Sequence, residues 1–223
     1  MDRNTLTVVG VFVFLVAAVT GGIWIGQREG FLATPESAAA IGIQRRAPDR
    51  VPTANEAAAA LIGGPFRLTD QNGKTVTEAD LRGHWSLVYF GYTFCPDVCP
   101  LTLQHMTAAL DDLGRDAAKI VPYFITVDPE RDTQAVMAEY APHFHPSLRA
   151  LTGTPAEVKA ATDAFRVYAA RQGGAAGATD YLMDHTSVVY ILGPDGKYVS
   201  LFTHEANADA MAAKLKSLLR SQG

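Results

Sequence analysis

Cysteine is nearly absent, with only Cys95 and Cys99 in 223 residues. Two thiols cannot staple a domain of this size, and the short loop they close leaves a disulfide little chain entropy to remove. The pair is a redox couple, a metal clip or an accident of sequence. Charge is also scarce: 19% of residues carry it, for a net −4. No basic stripe runs along the chain, so nothing favours nucleic acid as a partner. Internal repeats are missing too. The remaining composition, 48% hydrophobic, suits one domain with one sizeable core.

Charge disappears altogether between Asn4 and Gln27, and Leu6 to Ile25 is almost wholly apolar. Twenty helical residues at ~1.5 Å each span about 30 Å, the hydrocarbon thickness of a bilayer. Residues 6–26 are therefore expected to form one transmembrane helix. Arg3 and the terminal amine keep residues 1–5 in the cytoplasm, and the rest is exported. A cleaved signal peptide competes, since Ala17 and Ala18 lie at a suitable distance. Its apolar region is usually only about 7–15 residues, and no clear small-x-small site follows this one. Residues 27–62, rich in Ala, Pro, Gly and Arg, read as a linker to a folded domain at 63–223.

Within that domain, Gly64–Asp70 and Gln71–Val76 read as a hairpin whose Asn72-Gly73 pair suits a type I′ turn. Ser86–Phe90, Ile120–Val127 and Ser187–Leu192 read as buried strands, although Pro122 weakens the start of the second. Pro194–Lys197 turns the chain into a further strand at Tyr198–Phe202. Helical patterns fall at Pro100–Leu113, Asp132–Phe144, Thr154–Tyr168 and Ala206–Arg220. In the first, Leu103, Met106, Leu110 and Leu113 share a face and Gly114 is the stop. Alternating strands and helices predict an α/β domain with a partly parallel sheet. The Gly- and Ala-rich stretch Gln172–Thr179 reads as a flexible loop leading into Tyr181–His185.

The chemistry concentrates in Gly91-Tyr-Thr-Phe-Cys-Pro-Asp-Val-Cys-Pro-Leu101, which follows the first buried strand and opens the longest amphipathic helix. Pro100 disfavours the helical region for Cys99, which makes Cys99 the expected N-cap. Both thiols then lie over a helix N-terminus, whose free N–H groups and dipole lower thiol pKa. A thiolate serves disulfide exchange and soft-metal binding equally. Two sulfurs are too few for a closed zinc site. Thiolates favour Cu(I), and a third, imidazole ligand suits either copper oxidation state. His185, at the end of the Gly-rich loop and just before a strand, is the candidate, although a lone histidine is ordinarily a surface or capping residue. Asp184 and Asp97 are candidate outer neighbours of such a site.

GYTFCPDVCP at 91–100, VDPERD at 127–132 and DHTSVVYILGPDG at 184–196 together resemble the Sco/SenC family, in order and spacing, from about Gly63 to the C-terminus. The resemblance implies a thioredoxin-like fold, three α/β/α layers around a mixed sheet, behind one N-terminal membrane span. It implies copper held by Cys95, Cys99 and His185. It also implies a chaperone role in maturing the dicopper site of cytochrome c oxidase, with oxidase subunit II as the partner. Other periplasmic copper carriers or thiol–disulfide proteins are further partners on this reading. The place implied is a bacterial-type inner membrane with the domain in the periplasm, or the equivalent mitochondrial intermembrane space. A conventional enzyme is not expected, and no catalytic residue is assigned. The alternative function is a thiol–disulfide oxidoreductase, with Cys95 and Cys99 as its redox-active pair, that keeps the oxidase cysteines reduced for metallation. Thioredoxin-type reductases place a cis-proline before the strand facing their cysteines. Here no proline occurs between Pro155 and Pro194, and His185 occupies that neighbourhood. A sensor role is a weaker possibility, and the cysteine context expected of a peroxidase is missing.

Other residues have plainer readings. The acidic cluster Asp128, Glu130 and Asp132 with Arg131 reads as a cap on the following helix, with a docking surface as the alternative. Met183 reads as packing material, His143 and His145 as a solvated pair, and His84, His105 and His204 as without a metal role. Tyr92 and Phe94 are expected to pack around the cysteines and limit solvent access.

Overall fold

A computed structural model describes Ala57, residues 61–173 and residues 180–221. The expected cytoplasmic residues 1–5, the membrane span at 6–26 and most of the 27–62 linker lie outside the described residues, as do 174–179 of the Gly-rich loop. Among the described residues no helix is long and apolar enough to cross a membrane.

The elements run β1 (Arg67–Asp70), β2 (Thr75–Thr77), β3 (Trp85–Gly91), α1 (Val98–Leu113), β4 (Ile120–Thr126), α2 (Gln134–Tyr140), β5 (Arg149–Thr152), α3 (Pro155–Ala164), β6 (Ala169–Gln172), β7 (Leu182–His185), β8 (Val188–Leu192), β9 (Tyr198–Thr203) and α4 (Ala208–Ser221). Seven strands form one sheet in the order β2-β1-β5-β4-β3-β8-β9. The pairs β3/β4 and β4/β5 are parallel, and the outer pairs are antiparallel. The sheet is therefore mixed, as the alternation of strands and helices predicts. Strands β6 and β7 pair separately as a hairpin, with Ala169 opposite His185.

Strand β3 is the axis of the domain, with all seven residues buried. Its neighbours β4 and β8 pair along both its edges, and burial on both faces makes it a continuous apolar run. Tyr89 pairs in register with Phe124 of β4, and their rings meet at 6.1 Å. Phe90 points to the opposite face, where its ring lies 5.3 Å from Phe165 and 6.4 Å from Tyr190. Such ring pairs add about 0.5–1.5 kcal/mol each beyond the area they bury. Pro122 is tolerated because β5 pairs with β4 only from Tyr123 onward, which leaves that end of β4 an edge on one side.

Several local expectations are corrected. The hairpin β1–β2 exists, but its turn is not type I′, because only Gly73 has a positive φ, 80°, and Asn72 does not. Gly73 N–H donates to Asp70 O, and Asp70 Oδ1 accepts from the N–H groups of Asn72 and Lys74. The Asp70 carboxylate organises the turn in place of a second left-handed residue. Asp97, not Cys99, is the N-cap of α1, and Leu101 N–H donates to Asp97 O at 3.2 Å. Cys99 lies inside the first turn, where Pro100 removes an N–H that has no intrahelical acceptor. The second helix is only Gln134–Tyr140, capped by Thr133, with a 3-10 turn over Ala141–His143. Helix α3 ends at Ala164 and not Tyr168, because Arg166 turns left-handed at φ 56° and Val167 N–H closes on Thr162 O. That is the closing geometry usually given to glycine. Strands β5, β6 and β7 had no sequence signal strong enough to register.

Candidate metal centre

The buried stripe of α1 begins at Cys99 and continues through Leu103, Met106, Leu110 and Leu113. Those spacings of four and three place the sulfur on the face that packs on β3. Cys99 is fully buried for this reason. Cys95, in the loop before the helix, is only partly so. Gly91 makes room for the sulfur: a Cβ there would stand 2.9 Å from Cys99 Sγ and 2.8 Å from Phe124 Cε2.

His185 ends β7, and its Nε2 lies 3.5 Å from Cys99 Sγ. Its Nδ1 faces Thr186 O at 3.2 Å. A carbonyl can only accept, so the ring proton belongs on Nδ1 and the Nε2 lone pair faces the sulfur. Asp184, a candidate outer neighbour, is exposed, and the group facing Nδ1 is the Thr186 carbonyl. Asp97 is exposed as well, and its contribution to the thiols is the backbone N–H directed at Cys95. Two rings hold the imidazole edge-on, Tyr92 at 5.9 Å and Tyr89 at 6.5 Å.

The two thiols are electrostatically unequal. The Cys99 side chain holds the Cys95 thiol well below its ordinary range, helped by the N–H groups of Asp97 and Cys99, while burial opposes them. Cys99 N–H reaches Cys95 Sγ at 3.4 Å. Cys99 is pushed up, first because it donates to Cys95 and then by burial. The pair is thus polarised, with Cys95 drawn towards its thiolate and Cys99 towards its thiol. Burial also pushes the phenols of Tyr89 and Tyr140 up.

Around this centre the structure assigns roles that the sequence did not reveal. Asp132 is fully buried and does not cap α2. It accepts from Thr93 N–H at 3.1 Å, from Thr93 Oγ1, and from Thr126 Oγ1 at 2.6 Å. It thus ties the cysteine loop to the end of β4. Asp128, also buried, pairs with Arg131 and accepts from Tyr181 OH at 2.7 Å. Arg131 Nη1 donates to Tyr181 O at 2.9 Å, and its guanidinium lies 3.6 Å from the Tyr181 ring centre. Asp128 and Asp132 with Arg131 are therefore internal scaffolding, not a helix cap, while Glu130 is exposed. Phe94 does not shield the cysteines as expected: it is 56% exposed and its ring receives Arg131 at 4.7 Å. Tyr92, at 2% exposed, does shield them. His145 is half-buried, with Nδ1 2.7 Å from Ser147 Oγ. His204 stands with His185, Val98 and Glu205 on an open cavity of about 520 Å³, a proximity invisible from its isolated place in the sequence. Among the described residues no three His, Cys, Asp or Glu side chains stand at closed metal-ligand spacing, so any metal would draw the donors inward.

A central parallel strand that delivers two cysteines to a helix N-terminus, faced by an imidazole from a side hairpin, defines a thioredoxin-like protein whose dithiol has a histidine for a neighbour. The chain belongs to the SCO1/SenC family, whose model matches residues 54–220. An SCO2-like protein of Rickettsia felis is 42% identical over 155 residues, covering 70% of this chain and 76% of that protein. The structure of Bradyrhizobium japonicum ScoI with copper bound is 47% identical, with a TM-score of 0.65, covering 70% of this chain and 98% of the other. Arabidopsis thaliana ScoI, also with copper bound, is 40% identical at a TM-score of 0.67, covering 72% and 99%. The mixed α/β arrangement is thus the thioredoxin-like Sco fold.

Proposed function

We propose that this protein is a copper carrier for assembly of the dicopper site of cytochrome c oxidase, and that Cys95, Cys99 and His185 hold the copper. The observation that carries the reading is the 3.5 Å approach of His185 Nε2 to Cys99 Sγ. Bonds of about 2.3 Å to sulfur and 2.0 Å to nitrogen put two ligands of one first-row ion roughly that far apart. The donor set fits a soft ion: two sulfurs at a helix N-terminus, Cys95 drawn towards its thiolate, and an imidazole with its free lone pair turned inward. The relatives crystallised with copper support the same cargo. The partner is oxidase subunit II, with other copper carriers or thiol–disulfide proteins upstream. The three-layered domain begins at about residue 63 and follows a 27–62 linker. Residues 6–26 are the single span, with residues 1–5 cytoplasmic and the domain in the periplasm or its mitochondrial counterpart.

Anaerobic titration of copper(I) into the full-length chain against a competing chelator tests this. Wild type takes one equivalent tightly, and His185→Ala binds at least tenfold more weakly, about 1.4 kcal/mol. Equal affinity in both would leave only a dithiol. One observation favours that second reading, a thiol–disulfide oxidoreductase keeping the receiving cysteines reduced. Cys95 is half-exposed and drawn towards its thiolate while Cys99 is its buried partner, the arrangement of an attacking and a resolving sulfur.

A further inference from the structure

Tyr89 is 0% exposed, yet among the described residues its hydroxyl has no hydrogen-bond partner. A phenylalanine would fill the same space on β3 without stranding a polar atom, as Phe90 and Phe124 do beside it. The position of the ring suggests why tyrosine is present. Tyr89 and Gly91 share a face of β3. The place a Gly91 Cβ would take is 2.9 Å from Cys99 Sγ and 3.4 Å from Tyr89 Cε1, so the sulfur and the ring edge flank one gap. The same ring stands edge-on to His185. Cys99 and Thr102 are the nearest side chains to act on the hydroxyl, with Cys95 acting from further off, and none meets hydrogen-bond geometry.

We propose that the Tyr89 hydroxyl is a donor held for the Cys99 sulfur, engaged when that sulfur is a copper-bound thiolate. This rests on the copper reading above. A thiol sulfur is a weak acceptor, whereas copper holds its ligand sulfur as the thiolate. When copper binds, the S–H bond breaks, a sulfur–copper bond forms, and the proton leaves to solvent. The Tyr89 O–H bond stays intact and no electron moves. The coordinated thiolate, negative and enclosed, is a far better acceptor at the same place. Donation to it withdraws charge from the sulfur, weakens its gift of electron density to copper, and favours Cu(I) over Cu(II). Tyr89 is thus a positioning and tuning residue that never touches the metal.

The test is Tyr89→Phe in the full-length chain, loaded with Cu(II) and read by the sulfur-to-copper charge-transfer band. The band moves to longer wavelength, the reduction potential falls, and the ratio of Cu(I) to Cu(II) affinity drops by about tenfold, as loss of a hydrogen bond to a charged group implies. The metal-free variant unfolds at the same urea concentration as wild type or higher, since only an unpaired hydroxyl is lost. Thr102→Val, which removes the other polar side chain in reach, leaves the band in place. An unmoved band and potential in Tyr89→Phe, or an equal shift in Thr102→Val, overturns the proposal. Absence of any charge-transfer band in wild type would instead sink the copper reading itself.

Discussion

Gly91→Ala is expected to lower stability by about 2 kcal/mol, within the range for overpacking a closed core, and to weaken copper(I) binding at least tenfold. The glycine is not there for a left-handed backbone: its φ is not among the positive values in the chain. It is there because a methyl would stand 2.8 Å from Phe124 Cε2 and 2.9 Å from Cys99 Sγ, distances at which something must move. Phe124 and Cys99 are both 0% exposed. Phe124 is hemmed in by Tyr89 and Tyr140, and the backbone at Gly91 is pinned by Val127 N–H donating to its carbonyl at 2.8 Å. Cys99 sits in the first turn of α1, whose next turns are buried through Leu103 and Met106. The least costly relief is therefore to push the sulfur out of its recess, which changes its 3.5 Å relation to His185. Urea unfolding and chelator competition on the same preparation measure both effects. A variant with wild-type midpoint and affinity would mean that the first turn of α1 can shift freely, and the tight seat assigned to Cys99 would be wrong.

The sequence made the ligand candidates legible because chemistry-bearing residues are rare in it. With two cysteines in the chain, Cys95 and Cys99 could not hide, and the apolar run before them and the amphipathic run after them located both thiols at a strand-to-helix junction. The long strands β3, β4 and β8 were legible because burial on both faces writes continuous apolar runs. Strand β5, with the sequence Arg-Ala-Leu-Thr, is too short and mixed to leave such a mark. It is a strand because β4 and β1 flank it, which is tertiary information. The β6–β7 hairpin escaped for a related reason: its partners, Ala169–Gln172 and Leu182–His185, are joined across a Gly-rich stretch that reads as loop. Arg166 ended α3 in a conformation the sequence assigns to glycine.

The same division holds at the site. Tyr89 lies in an apolar run and reads as core, which it is. Only the packing of α1 on β3 puts its hydroxyl beside a sulfur ten residues later. The Asp128–Asp132 cluster misled because carboxylates just before a helix usually cap it, while Thr133 next to them is the actual cap. Burial of Asp132 depends on Thr93, 39 residues earlier, and no local pattern encodes that contact.

Asp132→Ala is expected to cost about 3 kcal/mol, because it strands up to three donors that are worth about 1–3 kcal/mol each when left unpaired in the interior. Those donors are Thr93 N–H, Thr93 Oγ1 and Thr126 Oγ1. Losing them frees the cysteine loop from β4, so copper retention falls along with stability. The pH dependence separates this role from simple packing. Burial raises the Asp132 carboxyl above its usual range, more than the hydrogen bonds from Thr126 and Thr93 lower it, and Asp128 adds a smaller upward push. A folded-state pKa above the unfolded one means that the group's contribution is complete below the unfolded value and is lost as pH rises through the folded value. Other carboxylates destabilise the protein in acid, so the informative quantity is the stability gap between wild type and Asp132→Asn, whose side chain does not titrate. That gap should move in favour of wild type as pH is lowered from 7 to 4, with urea midpoints as the readout. Movement the other way would mean that the three donors outweigh burial. Asp132 would then be a stabilised anion in the folded protein, and the tether under the cysteines would be strongest at neutral pH and fail in acid.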